Sequence, residues 1–538
     1  MALTDDLCRS WLDLLWHFDP AAGAIAGVPG AASRLGAFDV EAVREHLAGC
    51  RAIAGAVEDL VLSEMSDEID RTALLSAIRE RVAWFETDQP HVRHPGFWLE
   101  HLGRALLPLH PDISDDPGAG AEAMLARLQA IPEFLGSARQ TLRRPPVVLA
   151  DAAIAMAPAL VEGIHQLVER LDPLLSHQPG ELAAAATEAE AALLRIRMAL
   201  VNEIPPDEAA HAASAGEERF SWILHHAFML RTSAGEAWRW GQTFADEVEA
   251  RVAALADAIT PGQPWQDTFE QVRESGLIPG DLLLAGATEL ARSREHCRAL
   301  KLLAEREGEM EVREAPAWLA SVVPFTAYSP PVPGALASLG LLYVVAPAGV
   351  VEPEAVAWQR GELDRHRLAV LAAHDGWPGR HAQAVAAGRT ASEVRRWVES
   401  PVSVAGWGCY AEELMVEEGP LSSPEDLLSQ QVLLLVRALR VVVDAGIHTG
   451  QMTPAAALDL LMTRVPMDRH AALAEVRRIC ASPGAASAYA MGRREFLELR
   501  ESWRSASGAG AHLKEFHEAV FSYGRMPPTL MRWGMGLD

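Results

Sequence analysis

Lysine is nearly missing from this sequence: Lys301 and Lys514 are the only two among 538 residues. Arginine therefore supplies almost all the positive charge, and Schiff-base chemistry, which needs a lysine amine, has almost no candidate. Cysteine is scarce as well. Cys8, Cys50, Cys297, Cys409 and Cys480 are odd in number and widely scattered. That excludes a disulfide framework and a paired-cysteine zinc cage, and it reads as reduced thiols in a cytosol. Basic charge is short overall, with 47 Lys and Arg against 73 Asp and Glu and a formal net charge of -26. No basic stripe is left to release counterions from a nucleic acid, so neither nucleic acid nor an anionic membrane is an expected partner. The opening "MALTDDLCRSWLDLLWHFDP" places acids where a signal peptide carries positive charge. Long uninterrupted apolar runs are also lacking: "VVLADAAIAMAPALVEGIHQLV" is broken by Asp151, Pro158 and Glu162, so no membrane span is expected. A cytoplasmic location follows from these readings.

What the sequence has is helix. Hydrophobic residues make up 49% and charged residues 22%, enough for a large core without a metal or disulfide staple. Ala, Leu, Arg and Glu recur at three- and four-residue spacing in "EAVREHLAGCRAIAGAVEDLVLSEM" and "AEAMLARLQAIPEFLGSARQTL". Start signals agree: Thr390 with Glu393 forms a capping-box pattern, and Ser423–Pro424 and Thr453–Pro454 place Pro at a first helical position. No repeat of 20 to 50 residues is visible. Residues 321–347, "SVVPFTAYSPPVPGALASLGLLYVVAP", read differently, as a small β-element of two short runs bracketed by Pro and Gly. The fold class is mainly α, with an N-terminal helical part over 1–315 and a C-terminal part over 316–538 that holds the β-element and the unusual chemistry.

Three C-terminal helices carry polar stripes. In "QQVLLLVRALRVVVDAGIHTG" the polar residues Arg437, Arg440, Asp444 and His448 fall within about 80° of one another on an otherwise apolar helix. Buried charges must pair or meet water, so the stripe either pairs internally, Arg440 to Asp444, or lines a wet cavity. In "SVAGWGCYAEELMVEEG" Ala405, Cys409, Glu412 and Val416 share one face, and Glu413 and Glu417 turn to another. In "GAASAYAMGRREFLELRESW" Tyr489, Arg493, Phe496 and Arg500 align. That row is either a solvated face or a grip for an anionic ligand, to which the planar guanidinium is suited.

The stretch "AAHDGWPGRHAQ" raises the question of a metal. His374 and His381 are seven residues apart, roughly 10.5 Å along a straight helix, too far to share an ion. Pro378 alters this, because it deletes a hydrogen bond and clashes with the carbonyl of residue 374 at a cost of about 3 kcal/mol in an intact helix. The segment must bulge or break there.

"HDGWPGRHAQ" resembles the HExxPGHHxQ signature of the bacterial domain of unknown function 885, and "AGWGCYAEEL" its EGWxxYxEEL. "VVVDAGIHTGQMTPAAALDLL", "SPGAASAYAMGRREFLELRE" and "FHEAVFSYGRMPPTLMR" resemble three further motifs in the same order, over about 374–532. The resemblance implies a gluzincin-like helical fold, related in plan to HExxH metallopeptidases of the Taq-type carboxypeptidase kind. It implies His374 as a metal ligand, Asp375 as the water-activating base, a second histidine at 380 or 381, and a carboxylate at the first position of EGW. His448 and Tyr489 match positions that stabilise an oxyanion. This chain departs at three of those places. Asp375 is one methylene shorter than Glu, Arg380 puts a cation in a ligand position, and Ala405 stands where the carboxylate belongs, with Glu412 on the same face as a substitute.

Three readings stand side by side. One is a zinc-dependent amide or peptide hydrolase using His374, His381 and Glu412. Another is a metal-free acid–base catalyst acting on a small polar substrate. There Asp375, His448 and Tyr489 are catalytic and Trp377, Arg380, Arg440 and Arg493 bind substrate. The last is a pseudoenzyme kept as a partner protein. A small molecule or short peptide is the expected ligand.

Overall fold

The periodic Ala, Leu and Arg segments fold as helices. In the computed structural model helix accounts for 72% and strand for a single small sheet among the described residues, so the chain is mainly α. The structure describes residues 3–109, 116–175, 180–278, 280–304, 308–320, 323, 325–334, 339–345, 363–508 and 512–537.

The chain forms two compact units. Unit 1 comprises Met1–Leu62, Leu75–Ala213 and Pro316–Val322. Its main helices are α1 (Pro95–Leu106), α2 (Pro117–Thr141), α3 (Val147–Leu171) and α4 (Glu181–Asn202), around a core that includes Trp98, Leu128, Phe134, Leu160 and Leu193. By length and composition Val147–Leu174 is apolar enough to cross a membrane, and its Ala153, Met156, Leu160 and Ile164 row packs into this core. The short returning segment belongs here because the Trp318 ring lies on α1 at Gly103, where a Cβ would sit 2.6 Å from it.

Unit 2 comprises Ser63–Leu74, Ser214–Ala315 and Val323–Asp538. In chain order it contains α5 (Ala234–Ile259), α6 (Leu282–Ala299), β1 (Glu309–Glu314), β2 (Thr326–Ser329), β3 (Leu339–Val344), α7 (Arg365–Leu371), α8 (Arg380–Ala387) and α9 (Pro401–Glu417). It continues with α10 (Pro424–His448), α11 (Arg469–Ala481), α12 (Ser487–Ser507) and α13 (Leu513–Ser522). The units part near residue 213 and not at 315. The reason is packing: Gly241 of α5 lets that helix approach Val441 and Val442 of α10, and β1 pairs with β3. Residues 214–315 are thereby tied to the C-terminal helices.

The β-element has three strands and not two, in the order β1-β3-β2. β3 is the apolar centre, parallel to β1 from Glu309 opposite Leu339 and antiparallel to β2 with Tyr328 opposite Leu342. β1, "EMEVRE", escapes a reading by apolar content because it is an edge strand whose side chains are exposed or half-buried. Residues 321–322, 324, 335–338 and 346–347 of the expected stretch lie outside the described residues.

Ser423 and Thr453 cap their helices as expected, accepting from Asp426 and Ala456 amides. The capping box from Thr390 does not form. Ser392 caps the helix starting at Glu393, and Thr390 Oγ1 donates to the Ala387 carbonyl.

Two glycines bring α9 and α12 backbone to backbone. A Cβ on Gly406 would lie 2.4 Å from the Gly492 carbonyl carbon, and one on Gly492 would lie 2.1 Å from the Val402 carbonyl oxygen. Backbone cannot move aside as a side chain can. Gly492→Ala is therefore expected to cost about 3 kcal/mol or more in chemical denaturation, despite alanine's better helix propensity. Gly136→Ala, in α2 with nothing within 4 Å of the new methyl, is expected to gain up to about 1 kcal/mol. Equal effects at the two positions would contradict this account of the crossing.

Candidate active site

The helix that begins as α7 cannot run through Pro378. It widens into one π-turn at Ala372–Gly376, and α8 starts afresh at Arg380. Gly379 is required at the corner, since a Cβ there would lie 2.0 Å from the His374 carbonyl oxygen. The break lays the His374 ring against α9 at Gly408, where a Cβ would meet it at 2.5 Å. One turn further along α9, Glu412 Oε1 accepts from His374 Nδ1 at 2.6 Å, and Arg437 of α10 donates to Oε2. All three side chains are buried. Burial opposes the Glu412 charge, but Arg437 and His374 outweigh it and hold the carboxyl below its ordinary range. The carboxylate fixes the orientation of the imidazole ring through Nδ1.

A second group adjoins the first through Tyr489, whose ring is stacked on His374 with centroids 6.0 Å apart. The guanidinium of Arg440 lies over the tyrosine ring at 4.9 Å, and that of Arg478 of α11 lies 6.0 Å from the same ring. Glu475 takes two bonds from Arg440, at 2.7 and 2.8 Å, and one from Arg478 at 2.8 Å. Burial would raise Glu475, but the two arginines bring it down to about 2. Arg380 donates to Asp375 Oδ1 at 3.0 Å, and Thr326 Oγ1 lies 3.5 Å from Oδ2. Burial also opposes ionisation of Tyr489, yet Arg478, Arg440 and Arg380 hold its hydroxyl below the ordinary range of a phenol. Arg380 and Arg478 keep 23% and 35% of their side chains exposed, so this end of the site meets solvent.

Charge explains the tyrosine. Four guanidiniums, Arg380, Arg437, Arg440 and Arg478, face three carboxylates, Asp375, Glu412 and Glu475. One positive charge is left over.

Several expected members lie elsewhere. His381 points to β2 and β3, with Tyr328 Oη 3.1 Å from its Nδ1 and its ring 4.6 Å from that of Trp377. His448, two turns beyond Arg440, accepts the Ala215 amide at Nδ1 (3.2 Å) and bonds the Ile479 carbonyl through Nε2 at 2.9 Å. Asp444 does not pair with Arg440; it accepts from the Gly484 and Ser487 amides and the Ser487 hydroxyl. Arg493 and Arg500 do not face bulk water. They clasp Glu413 and Glu417 of α9 and so tie α12 to it. Glu475, Arg478 and Cys409 were not in the expected set. Cys409 carried a signal in sharing a face with Glu412, whereas the Arg440–Glu475 pair spans 35 positions and has no local signature.

Among the described residues one trio has metal-ligand chemistry: His374, Cys409 and Glu412 offer donor atoms within 4.8 Å of one another. His381 is not part of it. The trio fits a divalent ion poorly. Both Glu412 oxygens are committed, burial pushes the Cys409 thiol up to about 12, and Arg437 already occupies the place of a cation.

The model of a family described as "Bacterial protein of unknown function (DUF885)" matches residues 20–535. The chain belongs to that family. No curated protein matches it. Two solved structures share the fold of this DUF885 member. One is described as a "putative lipoprotein of unknown function" from Shewanella oneidensis, with TM-score 0.76 and 19% identity, covering 99% of this chain and 100% of that one. The other is a "putative lipoprotein" from Colwellia psychrerythraea, with TM-score 0.80 and 16% identity, covering 99% of each. These findings overturn the cytoplasmic expectation. A lack of cysteine pairs and an acidic start do not locate a chain whose fold is shared by proteins described as putative lipoproteins.

Proposed function

We propose that this DUF885 member is a metal-independent acid–base catalyst acting on a small anionic molecule. The observation that carries it is the surplus guanidinium around Tyr489. Arg380 and Arg478, at the solvent end, would grip a substrate carboxylate or phosphate. Tyr489 as phenolate would take a proton from carbon next to a carbonyl or carboxylate. The electron pair so freed would form a C=C bond while a β-substituent departs with its own bonding pair and takes the proton from the phenol, or would rest as an enolate on the carbonyl oxygen beside the guanidiniums until the phenol returns the proton to it. His374, held by Glu412 beneath the tyrosine ring, would be the second proton-carrying group. Asp375 would orient Arg380. In this reading the gluzincin-like plan is the ancestry of the site, with arginines where a metal's charge once acted.

Tyrosinate absorption tests it. One of the five tyrosines is expected to ionise well below the ordinary value of about 10, and that step should vanish in Tyr489→Phe. Succinate or phenyl phosphate should push the step back up and stabilise the fold by about 2.7 kcal/mol at 100 times the dissociation constant, seen as a higher melting temperature, with or without chelator. An unchanged titration in Tyr489→Phe would reject the proposal. One tightly held transition metal per chain, lost in Glu412→Gln, would return the site to the zinc hydrolase reading.

A further inference from the structure

Both lysines of the chain line one pocket. Lys301 and Lys514 join Arg294 and Arg298 around a cavity of about 640 Å³, a size suited to a small molecule, and no acid is among its described lining residues. In a chain of net charge -26 that is a concentrated exception. Cations at the end of α6 could simply answer the helix dipole, which is negative there. Lys514 does not fit that explanation, because it sits in the first turn of α13, where the dipole repels a cation.

Lys301 adds a second anomaly. It follows α6 at φ 53°, the left-handed region, with the Leu302 amide bonded back to the Cys297 carbonyl at 3.1 Å. This helix-ending position is where glycine is usual, and a lysine there is held against its backbone preference. Neither lysine forms an ion pair with a described carboxylate. Arg294 reaches Glu309 at 3.2 Å and lies 4.8 Å over the ring of Trp377, which forms an apolar wall together with Phe521. Behind Gly308 of the lining, the fully buried His381 leaves Nε2 without a partner.

We propose that this pocket binds a small organic anion, a phosphate or carboxylate group on an aromatic or branched alkyl body, with the four cations taking the headgroup and Trp377 and Phe521 the body. The inference does not rest on the reading of Tyr489.

Calorimetric titration of the full chain with phenyl phosphate tests it, with inorganic phosphate as the headgroup alone. Phenyl phosphate is expected to bind about ten-fold tighter than phosphate, and Lys301→Gly and Lys514→Gln are each expected to weaken it about ten-fold. Lys301→Gly suits the backbone, so its melting temperature should hold or rise, which separates lost binding from lost folding. Tyrosinate absorption reports the Tyr489 site separately, and it should respond to ligand equally in these variants. Three results would overturn the proposal. One is undiminished binding in both lysine variants; another is equal affinity for phosphate and phenyl phosphate. The third is lysine-dependent sedimentation with phosphatidylglycerol vesicles and no uptake of phenyl phosphate.

Discussion

Glu412→Ala is expected to destabilise unit 2 by about 3–5 kcal/mol, because it strands Arg437 in the core and frees His374 Nδ1. Removing both charges together should do far less harm. In Glu412→Leu with Arg437→Met two apolar side chains replace the buried pair, and such exchanges are often neutral or stabilising. Denaturant midpoints of the single and double variants measure the difference. The double variant also separates fold from function. On the proposed chemistry it should stay folded yet lose whatever depends on an oriented His374, while the low Tyr489 ionisation, which Arg478, Arg440 and Arg380 set, should persist. If the double variant were as unstable as Glu412→Ala, the ion pair would be a packing element with no separable role.

Acid should unfold unit 1 earlier than its carboxylates would suggest. Burial lowers His91, His94 and His101 from 6.5 to about 4 and His46 to about 3. The sign follows from which state takes the proton first. The unfolded chain does so from pH 6.5 downward, while the folded unit waits until about 4, so stability drains away over that interval. At pH 5.5 each histidine contributes about 1.4 kcal/mol of this loss, and four together about 6 kcal/mol, comparable with the whole stability of a domain. Glu100, raised to about 7 by burial, titrates in the opposite sense, but its 43% exposed side chain is screened and offsets only part of one histidine. Hydrogen exchange of α1 and α2 amides at pH 7 and pH 5.5 should show the loss, with uptake of three to four protons on unfolding. His91→Phe, which removes a buried Nδ1 without a partner, should shift the transition to lower pH and reduce the uptake by about one. Stability that stayed level between pH 7 and pH 5 would contradict these assignments.

Most of the helices were legible because their signals are local. Spacing of apolar residues, Ser423 before Pro424 and Thr453 before Pro454 act within a turn or two, and there the structure agrees. The break at Pro378 was legible for the same reason. β1 was not, since an edge strand with little apolar content is recruited by β3 from thirty positions away.

The candidate site divides along the same line. From the sequence alone came the residue types, the stripe of Arg437 and Arg440, the place of Glu412 on an apolar face, and the clash of Arg380 and Ala405 with a metal set, because side-chain chemistry and helical angle are properties of the chain itself. Which charge meets which was decided only by tertiary structure. The glycine crossing of α9 and α12 sends Arg493 to Glu413, α11 brings Glu475 to Arg440, and Gly408 admits the His374 ring to Glu412. Pairing between helices depends on their relative placement in space, and no periodicity within one helix encodes the identity of its neighbour.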